Sequence, residues 1–178
     1  TISVSNPSHP YSTEGTYSIS ISNSNSTDYI TNLNYTYGTF QQCVISCNSF
    51  GEVGLTDLSN AFKNATSLTS VPTSLPTTST IVNTSYMFYG ANTFDSDITN
   101  WNVSNVTNMS SMFKNAQVFN QPIANWNVSN VTNMNEMFSG ATIFNNDISN
   151  WTVNNVTLKP PTNFVYYSAL IKDNNPFK

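Results

Sequence analysis

The side chains able to do chemistry are few. The single histidine, His9, stands between Pro7 and Pro10. A Ser-His-acid relay needs an imidazole oriented by a carboxylate, which a proline-flanked loop does not provide. Asp97 and Asp147 make a better pair, because they share one phase of an internal repeat, with Pro122 in that phase between them. Were successive copies stacked about 5 Å apart, their carboxyl groups would stand ~10 Å apart, near the upper separation for inverting glycoside hydrolysis. A short Asp side chain ahead of a strand more often closes a turn. The expected catalytic set is therefore none, and a glycan-active enzyme is the remotest reading. Asp95 and Asp97 supply too few oxygens for calcium, and one histidine with two cysteines falls short of zinc's four ligands. With six glycines and no fitting motif there is no phosphate loop. No metal and no cofactor is expected.

Cys43 and Cys47 lie in the segment CVISC. Four residues along an extended strand would hold them too far apart, whereas a tight turn would allow a bridge. A local disulfide and two small core thiols both remain open. Asparagine is the commoner candidate for modification, since N-x-S/T occurs eleven times. Asn25, Asn34, Asn64 and Asn83 lie outside the regular repeat and are the candidate glycan acceptors. Inside it the repeat itself dictates the letters, and a stacked asparagine ladder is the expected use.

Composition sets the outer bounds. Only 8% of the 178 residues are charged, against about 25% in ordinary soluble domains. Five basic against nine acidic residues leave no electrostatic footprint for nucleic acid. With 38% hydrophobic and 13% aromatic residues, the chain is too apolar to stay unpacked. No run of about 18 apolar residues is present, so membrane insertion is not expected. The sequence opens on Thr1 without a basic-then-apolar leader, as expected of a processed chain or of a piece of a longer one.

What must position any site is a repeat of 25 residues. Trp101, Trp126 and Trp151 keep that interval, as do Met87-Phe88, Met112-Phe113 and Met137-Phe138, with Ala61-Phe62 one residue out of step. FKNA, FYGA, FKNA and FSGA follow in turn, each leading to Leu68, Phe94, Phe119 or Phe144. Trp101-x-Val103 has the period of a short strand, while Met109, Met112, Phe113 and Ala116 recur at helical spacing. Asn105, Thr107 and Asn108 would cap that helix, and Gly90 or Gly140 would end it. A unit of strand plus helix buries its apolar side only against further copies. The predicted fold is α+β: a short leucine-rich-repeat-like solenoid of about four 25-residue strand-plus-helix coils.

The pattern D-I-x-x-W-N-V-S-N-V-T-N-M-x-x-M-F-x-x-A-x-x-F-N resembles the BspA-like leucine-rich-repeat surface proteins of the 25-residue Met-Phe type, most clearly from Gly54 to Val156. Three regions follow: 1–50 as a β-rich cap, 51–157 as the solenoid, and 158–178 as a closing segment opened by Pro160-Pro161. Alternation in TYSISIS, Ile2-x-Val4 and Leu33-x-Tyr35-x-Tyr37 predicts strands in the first region, a small β-sheet cap. YSTEGTYSISIS also resembles the closing hairpin of PKD modules, although about 50 residues are too few for a sandwich of roughly 100.

The resemblance implies a non-enzymatic extracellular protein, cell-surface exposed, that adheres to or interacts with other proteins. The alternative is a structural subunit of an extracellular filament, appendage or virion surface layer. Expected partners are thus other proteins or identical subunits, with covalent glycans possible at the four acceptors, and neither nucleic acid nor membrane. Contacts would come from the polar half of the repeat: Asn102, Ser104 and Asn105, and their counterparts Asn127, Ser129 and Asn130.

Overall fold

A computed structural model of the chain describes residues 44–50, 55–76 and 80–178. Single-residue parallel bridges join Asp57 to Asn83, Asn83 to Asn108 and Asn108 to Asn133. Starting each copy at its bridging residue gives a first coil (57–82), a second (83–107), a third (108–132) and a fourth (133–157), then a closing segment (158–178). Residues 44–50 lie alongside the first coil, where Ser46 bridges Ser70 and the Cys47 N–H donates to the Ser70 carbonyl at 3.0 Å.

The α+β expectation is overturned. Among the described residues there is no α-helix and no multi-residue strand, so the coils are neither strand-plus-helix units nor part of a sheet; a 3-10 turn, Lys172–Asn174, is the one helical element. The strands expected of a β-sheet cap or PKD-like module fall mostly on 1–43, outside the described residues.

Hydrogen bonding explains why helical spacing did not make a helix. Met112 N–H donates to the Met109 carbonyl, Ala116 to Phe113 and Phe119 to Ala116, each three residues back as in a β-turn. Trp101 to Ile98 and Val106 to Val103 repeat the arrangement where a strand was expected. An apolar residue every third position thus marks the two ends of a turn, a spacing a short helical face also shows. The alternate N–H groups leave the coil altogether. Ser111, Phe113 and Asn115 donate to the carbonyls of Asn135, Met137 and Ser139 in the next coil at 2.9, 3.0 and 2.8 Å. Ser111 and Asn115 take left-handed φ of 54° and 60°, incompatible with an α-helix.

Stacking builds one continuous core. Ile98, Trp101, Val103, Val106, Met109, Met112, Phe113, Ala116 and Phe119 are all at most 3% exposed. Phe62, Phe88, Phe113 and Phe138 form one ring column, with centroids 5.6, 5.6 and 5.7 Å apart and near-parallel planes. Phe94, Phe119 and Phe144 form a second, which meets the first within each coil at 3.9 to 4.1 Å. Such pairs contribute about 0.5–1.5 kcal/mol each beyond area burial. The Trp101, Trp126 and Trp151 indoles donate back one coil to Pro72, Ile98 and Ile123 carbonyls at 2.8, 3.2 and 3.2 Å. Both ends of the first column meet an aromatic ring out of plane: Phe50 is tilted by 56° against Phe62, and Phe164 is edge-on to Phe138. The closing segment takes the place of a next coil, with Thr162, Phe164 and Tyr166 carbonyls accepting from Glu136, Phe138 and Gly140.

Two left-handed residues occur per coil, and one of their columns reads Asn64, Gly90, Asn115, Gly140. Glycine leaves room at its two places for the asparagine of the preceding coil. A Cβ on Gly90 would stand 2.6 Å from Asn64 Oδ1, and one on Gly140 would overlap Asn115 Oδ1. Gly140→Ala is expected to cost about 1–3 kcal/mol from backbone strain and overlap together. On an Asn115→Gly background, where the overlap is gone, the loss should shrink to the backbone cost of about 1–2 kcal/mol. Urea denaturation of the four-member cycle measures this, and an equal loss on both backgrounds would refute the packing argument.

Candidate recognition face

Most of the polar residues singled out by the repeat are spent on their own turns, with Asn130 bonding the neighbouring coil. Asn102 Oδ1 accepts the Ser104 N–H at 3.2 Å and its hydroxyl at 2.7 Å, and Asn127 does the same for Ser129. Asn130 Nδ2 donates to the Ser104 carbonyl, and Asn155 Nδ2 to the Ser129 carbonyl, both at 2.7 Å. Thr107, Thr132 and Thr157 hydroxyls each donate to the carbonyl one coil back, at 3.1 to 3.2 Å. Asn102, Asn105, Asn127 and Asn130 are exposed, with Ser104 and Ser129 half-buried. These groups lie on one side of the coils as a structural lattice rather than converging on a pocket.

The carboxylate pair is placed similarly. Asp97 Oδ1 accepts from the Thr99 hydroxyl at 2.7 Å and N–H at 3.0 Å, and Asp147 Oδ1 from the Ser149 N–H at 2.9 Å. These bonds, from the Thr99 hydroxyl first for Asp97 and the Ser149 backbone first for Asp147, hold both carboxyls below the usual range. Neither is a raised acid of the kind that protonates a leaving group. Asp95 forms a rung, its Oδ1 accepting the Asn120 N–H at 2.8 Å, and Asn120 Oδ1 in turn accepts from Asn145.

Of the candidate glycan acceptors, Asn64 is exposed, whereas Asn83 is half-buried with its Nδ2 donating to Asp57 Oδ2 at 3.3 Å. Asn25 and Asn34 lie outside the described residues, as do His9 and Cys43, so the Cys43–Cys47 bridge falls there too. Cys47 is a free thiol that donates to the Ser49 carbonyl, and its burial raises its pKa.

The chemically distinct face is the one formed by positions where otherwise matching copies differ. Along the turn segment the core letters recur, but successive coils carry Lys63, Tyr89, Lys114 and Ser139 in one column and Asn60, Tyr86, Ser111 and Glu136 in the next, as the coil-to-coil hydrogen bonds align them. Lys63 Nζ lies 5.2 Å from the Tyr86 ring centroid and 5.5 Å from that of Tyr89, and Lys114 Nζ lies 5.9 Å from Tyr89. Attraction of an ammonium to a ring face orders these side chains. Lys114 also pairs with Glu136 at 2.8 Å, and the Ser111 hydroxyl donates to the same carboxylate at 3.3 Å. Beside Tyr86 a shallow depression of about 330 Å³ opens, lined by Tyr86, Ser110, Ser111, Asn133, Asn135, Glu136 and Thr162. Sequence reasoning missed this face because the repeat pattern reduces its residues to unspecified positions. The departures from the pattern were the signal.

The chain belongs to a repeat-containing family, described as "Mycoplasma protein of unknown function, DUF285", whose match covers residues 56–171. No curated protein and no solved structure matches it.

Hydrogen bonding from Lys114 keeps Glu136 below the ordinary carboxylate range, and the same bond raises Lys114. A lowered carboxyl adds stability above its unfolded pKa of about 4.3, and loses it as pH falls through the lower folded value. The raised Lys114 keeps its share below an unfolded pKa of about 10.4, losing it as pH rises through the higher folded value. With side chains 24% and 29% exposed, the pair should contribute about 0.2–1 kcal/mol. Denaturation of the protein and of Glu136→Gln should differ by that amount at neutral pH and converge in acid. A difference unchanged down to pH of about 2 would contradict the assignment.

Proposed function

We propose that the chain is a non-enzymatic recognition module displayed outside the cell, with the stacked coils as its frame and the variable turn face as its contact surface. One observation carries the reading: charged and aromatic residues gather where the copies differ, and core positions stay the same. On the repeat only Lys63 and Lys114 are basic, and both lie against Tyr89. Tyrosine is among the side chains that the energetic centres of protein contact surfaces concentrate. The likeness to BspA-like surface proteins in the W-x-V-x-N-V-T and Met-Phe segments supports display at a surface and adhesion to host or extracellular-matrix components. Asn64, an exposed acceptor at the edge of the same face, is compatible with a covalent glycan.

A second reading, as a subunit of an extracellular filament or surface layer, draws on the C-terminal end. Asn163, Val165 and Tyr167 occupy the places whose N–H groups donate onward in every earlier coil, and the backbone N–H groups of these three make no hydrogen bond among the described residues. Open donors at an end can pair with another chain. Light scattering across concentration separates the two readings: a monomer throughout removes the subunit.

For the first reading, binding to immobilised collagen, laminin and fibronectin is measured by surface plasmon resonance. Tyr86→Gly combined with Tyr89→Ala should weaken the responding interaction about tenfold or more. Asn102→Ala combined with Asn127→Ala should leave it within about twofold, as these side chains serve their own turns. The reverse ranking would overturn the assignment of the face.

A further inference from the structure

The depression beside Tyr86 has a composition that specifies its ligand. It runs along the stack from Tyr86 in the second coil, through Ser110 and Ser111 in the third, to Asn133, Asn135 and Glu136 in the fourth and Thr162 in the closing segment. One end is a tyrosine ring 36% exposed, set on a left-handed residue with φ of 57°. Lys63, from the first coil and outside the depression's lining, lies 5.2 Å from that ring's centroid. The rest of the lining is hydroxyl, amide and carboxylate. Asn133 and Asn135 spend their Oδ1 atoms on the Asn135 and Thr162 N–H groups, at 3.0 and 2.9 Å. Their Nδ2 donors, and the Ser110 hydroxyl, make no hydrogen bond among the described residues. Glu136 is fixed by Lys114 and Ser111, which orients its oxygens and cancels its charge.

A ring platform, amide and hydroxyl donors and one fixed carboxylate are the groups that hold a polyhydroxylated ring: the apolar face of a pyranose lies on the aromatic, and its hydroxyls donate to the carboxylate and accept from the amides. Paired charges leave no excess to attract an ion. Coils joined by parallel bridges are spaced by about 4.8 Å, comparable to the length of one pyranose unit, so equivalent positions along the groove recur about once per sugar. An oligosaccharide lying along the stack would meet a fresh coil with each residue.

We propose that this groove binds a neutral oligosaccharide along the stacking direction, with one sugar stacked on Tyr86, the next beside Ser110 and a third held by Asn133, Asn135 and Glu136. The proposal rests on the turn face being the contact surface and names what it contacts. It makes affinity depend on chain length, because one sugar reaches only one coil.

The test titrates the whole protein by NMR with glucose-, galactose- and N-acetylglucosamine-based mono-, di- and trisaccharides. Amide shifts around Tyr86 and Asn133–Glu136 should move with at least one series, and affinity should rise about tenfold from mono- to trisaccharide. Tyr86→Gly should abolish binding, while Tyr167→Gly, at an equally left-handed but more exposed tyrosine outside the groove, should leave it intact. No shift with any series, or shifts confined to other surfaces, overturns the proposal. Tighter binding of uronic or sialic acid oligosaccharides than of neutral ones overturns it as well. Failure here is separable from failure of the recognition reading. If enzymatic removal of glycans from the immobilised matrix proteins leaves binding intact, and Tyr86→Gly with Tyr89→Ala still weakens it, the face recognises protein and the saccharide inference falls.

Discussion

Every second N–H of the turn segment is donated out of its own coil to a carbonyl in the next, and the rest of the structure depends on that division. From Asn60, Phe62 and Asn64 in the first coil to Glu136, Phe138 and Gly140 in the fourth the pattern is the same. The intervening N–H groups close three-residue-back turns within the coil. No buried backbone donor of the segment needs a helix or an extended sheet, and the side chains at both ends of the Met109–Met112, Phe113–Ala116 and Ala116–Phe119 turns are directed into one core. The usual requirement that buried backbone groups be paired is met by stacking itself.

That solution has a conformational consequence. To alternate between inward and onward donation the chain must pass through left-handed φ twice per coil, and non-glycine residues meet this at Asn60, Asn64, Tyr86, Ser111, Asn115 and Glu136. Each costs about 1–2 kcal/mol relative to a right-handed residue. Inter-coil hydrogen bonds, at about 0.5–1.5 kcal/mol net, and the two phenylalanine columns offset it. Of the left-handed residues, Asn64, Tyr86 and Asn115 are exposed and Asn60 and Glu136 half-buried, whereas Ser111 is buried. Tyr86 and Glu136 therefore sit on the surface with backbones fixed by the core, which gives the groove a rigid lining.

Much of the packing was legible in the letters. A period of 25 located the copies, and Ile98 through Phe119 were identifiable as core from spacing alone. Helix against turn was not legible, because an apolar residue at every third or fourth place satisfies both. Ser111, Tyr86 and Glu136 are not residues that favour left-handed φ, so only Asn60, Asn64, Gly90, Asn115 and Gly140 hinted at the break. Asn102, Ser104, Asn127 and Ser129 read as an outward polar half, but their atoms are largely absorbed by Asx-type turns, and Asn130 serves as a rung. Lys63, Tyr86, Tyr89, Lys114 and Glu136 went unread for the opposite reason: alignment of repeats emphasises what recurs, and these residues are the part that does not.

The direction of the Phe113 N–H distinguishes stacked turns from a helix. In isotopically labelled protein, scalar coupling through the hydrogen bond from the Phe113 amide nitrogen identifies the accepting carbonyl. Coupling to the Met137 carbonyl carbon, one coil away, is the predicted result, with corresponding couplings from Ser111 to Asn135 and from Asn115 to Ser139. Coupling from Phe113 to Met109 in its own coil, as an α-helix requires, would contradict it.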